Sequence, residues 1–214
     1  MKESLKKHFN TFIKLSDEEF NYIFSYFTFK TYHKNELIFD EGDTIENEYY
    51  IVKGLVKIYF IDKLGKEHVV SLSYEQLWIS DYLALYTSEK SCLTAICIED
   101  CKILSISLKD KDKICEEIPI LGKHFKEISR KVIINNNERI VSMLTLDVNG
   151  KYEWFKYKFA KIIHKIPKSL IASYIGVSRE ALSRNKIKKN SEKYSLYNNL
   201  YEKIISFVVY LYYT

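Results

Sequence analysis

The sequence predicts an α+β protein: an antiparallel β-roll with flanking helices, then a long dimerisation helix, then a carboxyl-terminal helix-turn-helix domain. Three observations carry this reading. Short runs rich in Ile, Val and Tyr, broken by Asp, Gly, Asn and Lys, fill "FDEGDTIENEYYIVKGLVKIYFIDKLGKEHVVSLS". A run of roughly thirty residues after Cys115 holds only Pro119 and Gly122 as breakers. Near the lysine-rich end stands "GVSREALSR", Gly176 to Arg184, where a turn glycine, a serine, two arginines and a glutamate sit together.

The β region reads as hairpins, with "EGD", "KG" and "KLGKE" as turns. A second strand group, "SCLTAICIEDCKILSISL", turns at "IEDCK". Short strands repeated at intervals of about 8 to 12 residues indicate a compact antiparallel barrel or roll. Ahead of them, "SDEEFNYIFSYF" opens on Ser16 with Glu19 three residues on, a capping box. In the long run, Leu121, Phe125, Ile128 and Val132 recur at spacings of 4, 3 and 4. That is a coiled-coil seam with no neighbouring element predicted to cover it, so a second copy of the chain is expected there. Asn149-Gly150 then reads as a boundary, and "KYEWFKYKFAKIIHKIP" as an amphipathic helix through Trp154, Phe155, Phe159 and Ile162/Ile163, ended by Pro167.

Composition narrows the class. A chain of 214 residues with 47% hydrophobic content buries a core. "IISFVVYLYYT" falls short of the ~20 apolar residues that span a bilayer. Met1 to Asn10 is charged and lacks the apolar segment of a signal peptide, so the expectation is a cytoplasmic protein with no membrane partner. Cys92, Cys97, Cys101 and Cys115 show no CxxC pairing, which favours buried or half-buried free thiols over a metal site. No GxxxxGK, HExxH or GxSxG is present, so no catalytic residue and no enzyme activity is assigned. The net charge is +5. From Lys151 to Lys193 there are 12 Lys plus Arg against 3 Asp plus Glu, a local +9 that leaves −4 for the rest. A basic end on a slightly acidic body suits a domain that meets a polyanion.

"KSLIASYIGVSREALSR" has the steric pattern of a helix-turn-helix. Ala172 is small where two helices cross, and Gly176 can take the left-handed turn between them. Ile171, Ile175, Val177 and Leu182 face the crossing, and Ser178 caps the second helix. Arg179, Glu180, Ser183 and Arg184 then occupy its outward side. Arginine donates two hydrogen bonds to guanine O6 and N7, and glutamate accepts from cytosine N4. The competing reading of Glu180 and Arg184 is a surface ion pair four residues apart, worth ~0.2 to 0.5 kcal/mol.

With these parts in this order, the chain resembles the Crp/Fnr family of bacterial transcription regulators from roughly Ser16 to Lys189. The resemblance implies a roll of the cyclic-nucleotide-binding type. "SREALSR" looks like the family's recognition helix, whose base contacts fall on Arg179, Glu180 and Arg184, with Lys168 at a phosphate-contact position. Ser178, Ser183, Lys186 and Lys188 complete the expected DNA-binding set. Asn185 departs from the pattern, standing where the family has an apolar residue. The partners implied are double-stranded DNA, a second copy of the chain and RNA polymerase.

The resemblance also points at an effector pocket, and there the chain departs from its relatives. Members that respond to cyclic AMP hold it with a Gly-Glu pair and an Arg-Ser pair. Here Ser80-Asp81 and Ser91-Cys92 stand in those places. Asp81 could hold a ribose, but Ser91 cannot replace a guanidinium, and Lys90 points to the opposite face of its strand. Cyclic AMP is therefore not expected, and the effector is left unidentified. The amino-terminal cysteine cluster of an iron-sulfur sensor is absent, and His33, His68 and His124 are lone candidates for haem.

The expected division is a roll over residues 1–115, a dimerisation helix over 116–147, a helix-turn-helix domain over 148–190 and an extension of unassigned role over 191–214. The function expected is a homodimeric, sequence-specific DNA-binding regulator. The alternative is a sensor or interaction module of the same roll type that does not read DNA.

Overall fold

A computed structural model describes residues 1–184. Asn185, Lys186, Lys188 and the extension 191–214 lie outside the described residues.

Two helices open the chain. α1 (Lys2–Phe9) is lysine-rich, yet Leu5 and Phe9, one turn apart, are fully buried. α2 (Asp17–Phe24) starts with the expected capping box: Ser16 Oγ accepts from Glu19 N–H at 3.1 Å, and the Glu19 carboxylate accepts from Ser16 N–H at 2.8 Å.

The roll follows as β1 (Thr28–Tyr32), β2 (Leu37–Phe39), β3 (Asn47–Lys53), β4 (Leu55–Ile61), β5 (Glu67–Tyr74), β6 (Trp78–Ile79), α3 (Tyr82–Thr87), β7 (Thr94–Cys97) and β8 (Cys101–Ser107). Two antiparallel sheets form, ordered β1-β8-β3-β6 and β2-β7-β4-β5. Ile51, Val56, Ile58, Ala95 and Ile103 close the core between them. In the β4–β5 hairpin Ile58 pairs with Ser71 and Tyr59 with Val69, so Val70 is an extra, bulged residue.

Behind the roll come α4 (Leu108–Glu117), α5 (Ile120–Thr145), α6 (Val148–Lys158), a single 3-10 turn at Ile163–Lys165, α7 (Lys168–Tyr174) and α8 (Arg179–Arg184). Among the described residues no helix is long and apolar enough to cross a membrane.

Four expectations need correction. The seam on the long helix is partly covered by its own chain: Leu121 is fully buried and Phe125 nearly so, against Phe9, Phe20 and Trp78, and Ile128 packs at the edge of this cluster. The cause is α1, whose Leu5 and Phe9 lie over the first turns of α5. The exposed apolar residues on α5 are Ile120, Ile133, Ile140 and Leu144 instead. Asn149-Gly150 lies in the first turn of α6, and the break from α5 falls slightly earlier, at Leu146 and Asp147, because the Asp147 side chain caps α6 by accepting from Gly150 N–H at 2.8 Å. α6 then stops at Lys158, and Phe159 and Ile162 lie beyond it, buried in the core with Phe155. Of the cysteines, Cys97 and Cys101 are buried and Cys115 half-buried, whereas Cys92 is exposed.

Candidate nucleic-acid interface

Sterics at one glycine shape this site. α7 ends in a reciprocal pair of backbone bonds, Gly176 N–H to the Ser173 carbonyl at 3.2 Å and Val177 N–H to the Ala172 carbonyl at 3.0 Å. Gly176 takes φ +68°, and a Cβ there would meet Met143 Cε of α5 at 2.9 Å. Any other residue would be strained and would crowd the long helix. Two residues on, Ser178 Oγ accepts from Ala181 N–H at 3.0 Å and starts α8.

The inner face of α8 is anchored by Leu182, which is buried with Phe155, Tyr174 and Ile175. Its outer face brings Arg179, Glu180, Ser183 and Arg184 into solvent, with Ser178 exposed beside them. Among the described residues none of Arg179, Glu180 and Arg184 forms an ion pair. In place of the ion pair of the competing reading, Arg184 Nε makes a long contact of 3.4 Å to the Glu180 carbonyl. Lys168 stands exposed at the start of α7, just after Pro167.

These helices lean on the roll. Val69 and Leu72 of β5 share an apolar cluster with Phe155, Phe159, Ile171 and Tyr174. Lys165 pairs with Glu99 in the β7–β8 turn at 2.9 Å. Arg139 of α5 is a residue that sequence reading passed over, since an arginine between Glu138 and Ile140 looks like any solvated helix position. Here it is half-buried against Tyr174, and burial draws its guanidinium below the ordinary value, partly opposed by that tyrosine.

The four pocket residues behave differently. Asp81 is 2% exposed, and all its hydrogen bonds are internal. Oδ1 accepts from Leu83 N–H at 3.1 Å and Ala84 N–H at 3.2 Å, capping α3, while Oδ2 accepts from the Ser91 hydroxyl at 2.8 Å. Ser91 Oγ in turn accepts from Leu93 N–H at 3.1 Å. Ser80 donates to the Asn47 carbonyl at 2.9 Å, and Cys92 points outward. Lys90 Nζ bonds Thr44 Oγ1 at 2.7 Å and takes no part in this network. The Asp81 carboxylate, read from the sequence as a possible ribose partner, serves the helix end and Ser91 in this structure. Nearby, Glu48 is buried in an ion pair with Lys111 and accepts from the Tyr86 hydroxyl at 3.2 Å. Burial alone would lower the Lys111 ammonium, but Glu48 and Tyr86 together outweigh it and hold the group above its ordinary value.

Among the described residues no group of three or more His, Cys, Asp or Glu is placed to hold a metal ion. His68 is bonded to Asp62 at 2.6 Å and His124 is enclosed among aromatic rings.

Residues 29–117 match the cyclic nucleotide-binding domain family. The cAMP-activated global transcriptional regulator CRP of Salmonella typhimurium is 23% identical, over 79% of this chain and 85% of that one. Over most of its length the chain is thus similar to regulators of the Crp/Fnr type. Among solved structures, the c-di-GMP responsive global regulator CLP of Xanthomonas campestris superposes with a TM-score of 0.64 at 15% identity, covering 79% of this chain and 89% of CLP. The catabolite activator protein of Thermus thermophilus gives 0.51 at 20% identity, covering 79% of this chain and 81% of its own. Both likenesses reach beyond the matched domain, so the chain shares more of its fold with them than the roll alone.

Proposed function

We propose that the chain is a homodimeric transcription regulator that reads specific double-stranded DNA through α8, beneath a roll that does not use cyclic AMP. The observation that carries this reading is the outer face of α8: two arginines and a glutamate held in solvent without ion pairs among the described residues, on a helix whose inner face is anchored. Free guanidinium forks suit guanine, and a free carboxylate suits cytosine N4. Lys168 supplies a phosphate contact, with Ser178 and Ser183 as hydroxyl donors beside it and Lys186 and Lys188 adding positive charge. A second copy of the chain covers Ile133, Ile140 and Leu144, spaced 7 and 4 along α5. RNA polymerase is the further protein partner of such a regulator.

The named relatives respond to different nucleotides, cyclic AMP for CRP and c-di-GMP for CLP, so the scaffold is not tied to one effector. In this chain a cyclic phosphate would meet Ser91 where a guanidinium is needed, and would lie beside the Asp81 carboxylate. Each missing charged hydrogen bond costs roughly 1.5 to 3 kcal/mol, and the buried phosphate keeps its desolvation cost.

Selection of bound sites from random duplex DNA tests the reading, run with and without millimolar cyclic AMP. The expected result is an inverted repeat with half-sites ~34 Å apart, the same in both arms. No enrichment of any sequence would favour a sensor module that does not read DNA. A gain of about tenfold in DNA affinity with cyclic AMP, with saturable heat in calorimetry, would overturn the effector part alone.

A further inference from the structure

β5 is the last strand of its sheet, so the backbone groups on its outer side have no strand partner. Two side chains from the helical half take them. Ser173 of α7 accepts from Val69 N–H at 3.3 Å. Arg139 of α5 donates from Nη2 to the Val69 carbonyl at 2.7 Å and from Nη1 to the carbonyl of Val70, the bulged residue. Nη2 also donates to the Tyr174 carbonyl, in the last turn of α7, at 2.8 Å. The guanidinium carbon lies 4.0 Å from the centre of the Tyr174 ring. Among the described residues no carboxylate pairs with Arg139, so its charge rests on three carbonyl oxygens and one ring face. Four residues along α5, Met143 closes on Gly176, the turn into α8.

We infer that Arg139 is a positioning residue: it keys the reading helices to the β5 bulge and thereby sets the half-site spacing that the dimer accepts. This rests on the DNA-reading function proposed above. The apolar cluster of Val69, Leu72, Phe155 and Tyr174 holds the two halves together, but apolar contact has no direction. A planar fork bonded to three carbonyls on two elements does have direction, and a lysine cannot reproduce it. The outer face of α8 is exposed while the clasp is closed, so the clasp does not hide that face; it decides where the face points.

The test measures the distance between nitroxide labels on Lys63→Cys and Lys161→Cys, with Cys92 and Cys115 replaced by serine, together with DNA binding across a series of half-site spacings. Arg139→Gln is expected to broaden the distance distribution and to relax the spacing preference. Affinity for the best site should fall about tenfold, with base preference inside each half-site unchanged. Arg139→Lys should fall between the two. Ser173→Ala, which removes only the acceptor for Val69 N–H, should shift the distances less and in the same direction, and it decides the matter if Arg139→Gln does not fold. An unchanged distance distribution in folded Arg139→Gln overturns the clasp, whatever the DNA result. Broadened distances with an unchanged spacing preference overturn its role in reading, as does a gain in DNA affinity. Failure of the wild type to select DNA sinks the proposed function instead, and the distance measurement still decides the clasp.

Discussion

The roll and α8 treat their charged side chains in opposite ways. In the roll, Asp81 meets two backbone N–H groups and Ser91, and Glu48 is buried against Lys111. On α8, Arg179, Glu180 and Arg184 stand in solvent. A carboxylate whose hydrogen bonds are already made must break them before it can serve a ligand, at a cost of about 1 to 3 kcal/mol. An exposed guanidinium keeps its donors for whatever docks. On the function proposed above, this region of the roll would be scaffold and α8 the recognition element, and each half can be tested separately.

The largest expected effect comes from acid, which attacks the packed interior. His8 and His124 lie between α1 and α5 with ring centres 5.2 Å apart, and His8 Nε2 accepts from the Trp78 indole at 3.1 Å. Burial holds both rings neutral: His8 is lowered to about 4, with Lys131 adding to the effect, and His124 to about 3, with His8 and Lys131 adding. In the unfolded chain both return to about 6.5. The folded values lie below the unfolded ones, so this stability is complete above pH 6.5 and is lost as pH falls toward 4. The loss should be on the order of 4 kcal/mol, counting the half-buried His8 at a discount. Urea unfolding at pH 7 and pH 4.5 measures it. His124→Phe, which suits the rings of Phe9, Phe12 and Phe125, should flatten the acid loss, and an undiminished loss in that variant would refute the assignment.

What could be read in the sequence was local, and what was missed was not. The capping box of Ser16 and Glu19, the β4–β5 hairpin at "KLGKE", the left-handed turn at Gly176 and the Ser178 cap each depend on a few adjacent residues, and all are present, whereas "EGD", "KG" and "IEDCK" link strands of different sheets and close no hairpin. The outward set on α8 follows from helical periodicity once Leu182 is placed inside. The cover over Leu121 and Phe125 was missed because it comes from Leu5 and Phe9, more than a hundred residues away, hidden among lysines. Arg139 was missed for the same reason: its partners are carbonyls on β5 and α7, and backbone oxygens carry no sequence signal. Asp81 was read as a ligand group because spacing matched it to a pocket position, but the start of α3 claims it as a cap. Asp147 likewise caps α6 where Asn149-Gly150 had suggested a break.

The next effect in size sharpens the contrast from the roll side. Asp81→Ala removes the α3 cap, while the Ser91 hydroxyl keeps the Leu93 carbonyl as acceptor at 2.9 Å, and should cost roughly 1 to 2 kcal/mol of stability. Asp81→Asn keeps an oxygen for the N–H groups and should cost less. Both follow from denaturant midpoints at pH 7. DNA affinity of the folded fraction should be unchanged, and a selective loss of DNA binding without loss of stability would return Asp81 to a ligand-handling role.

The smallest effects lie on the open face, where substitutions should leave stability nearly untouched and alter only binding. Arg184→Ala should cost about 2 kcal/mol on the selected site and relax preference at one guanine, because a bidentate contact to O6 and N7 discriminates among bases. Its cost on random DNA should be small. Lys168→Ala should cost less, under about 1 kcal/mol, and should do so equally on selected and random DNA, since a phosphate carries no sequence. The slope of log affinity against log salt should fall by about one for Lys168→Ala. Parallel titrations of both variants on both DNAs over a range of salt separate the two roles. Equal losses for Arg184→Ala on specific and random DNA would reduce it to a phosphate clamp. Base preference would then rest on Arg179 and Glu180, nearer the start of α8.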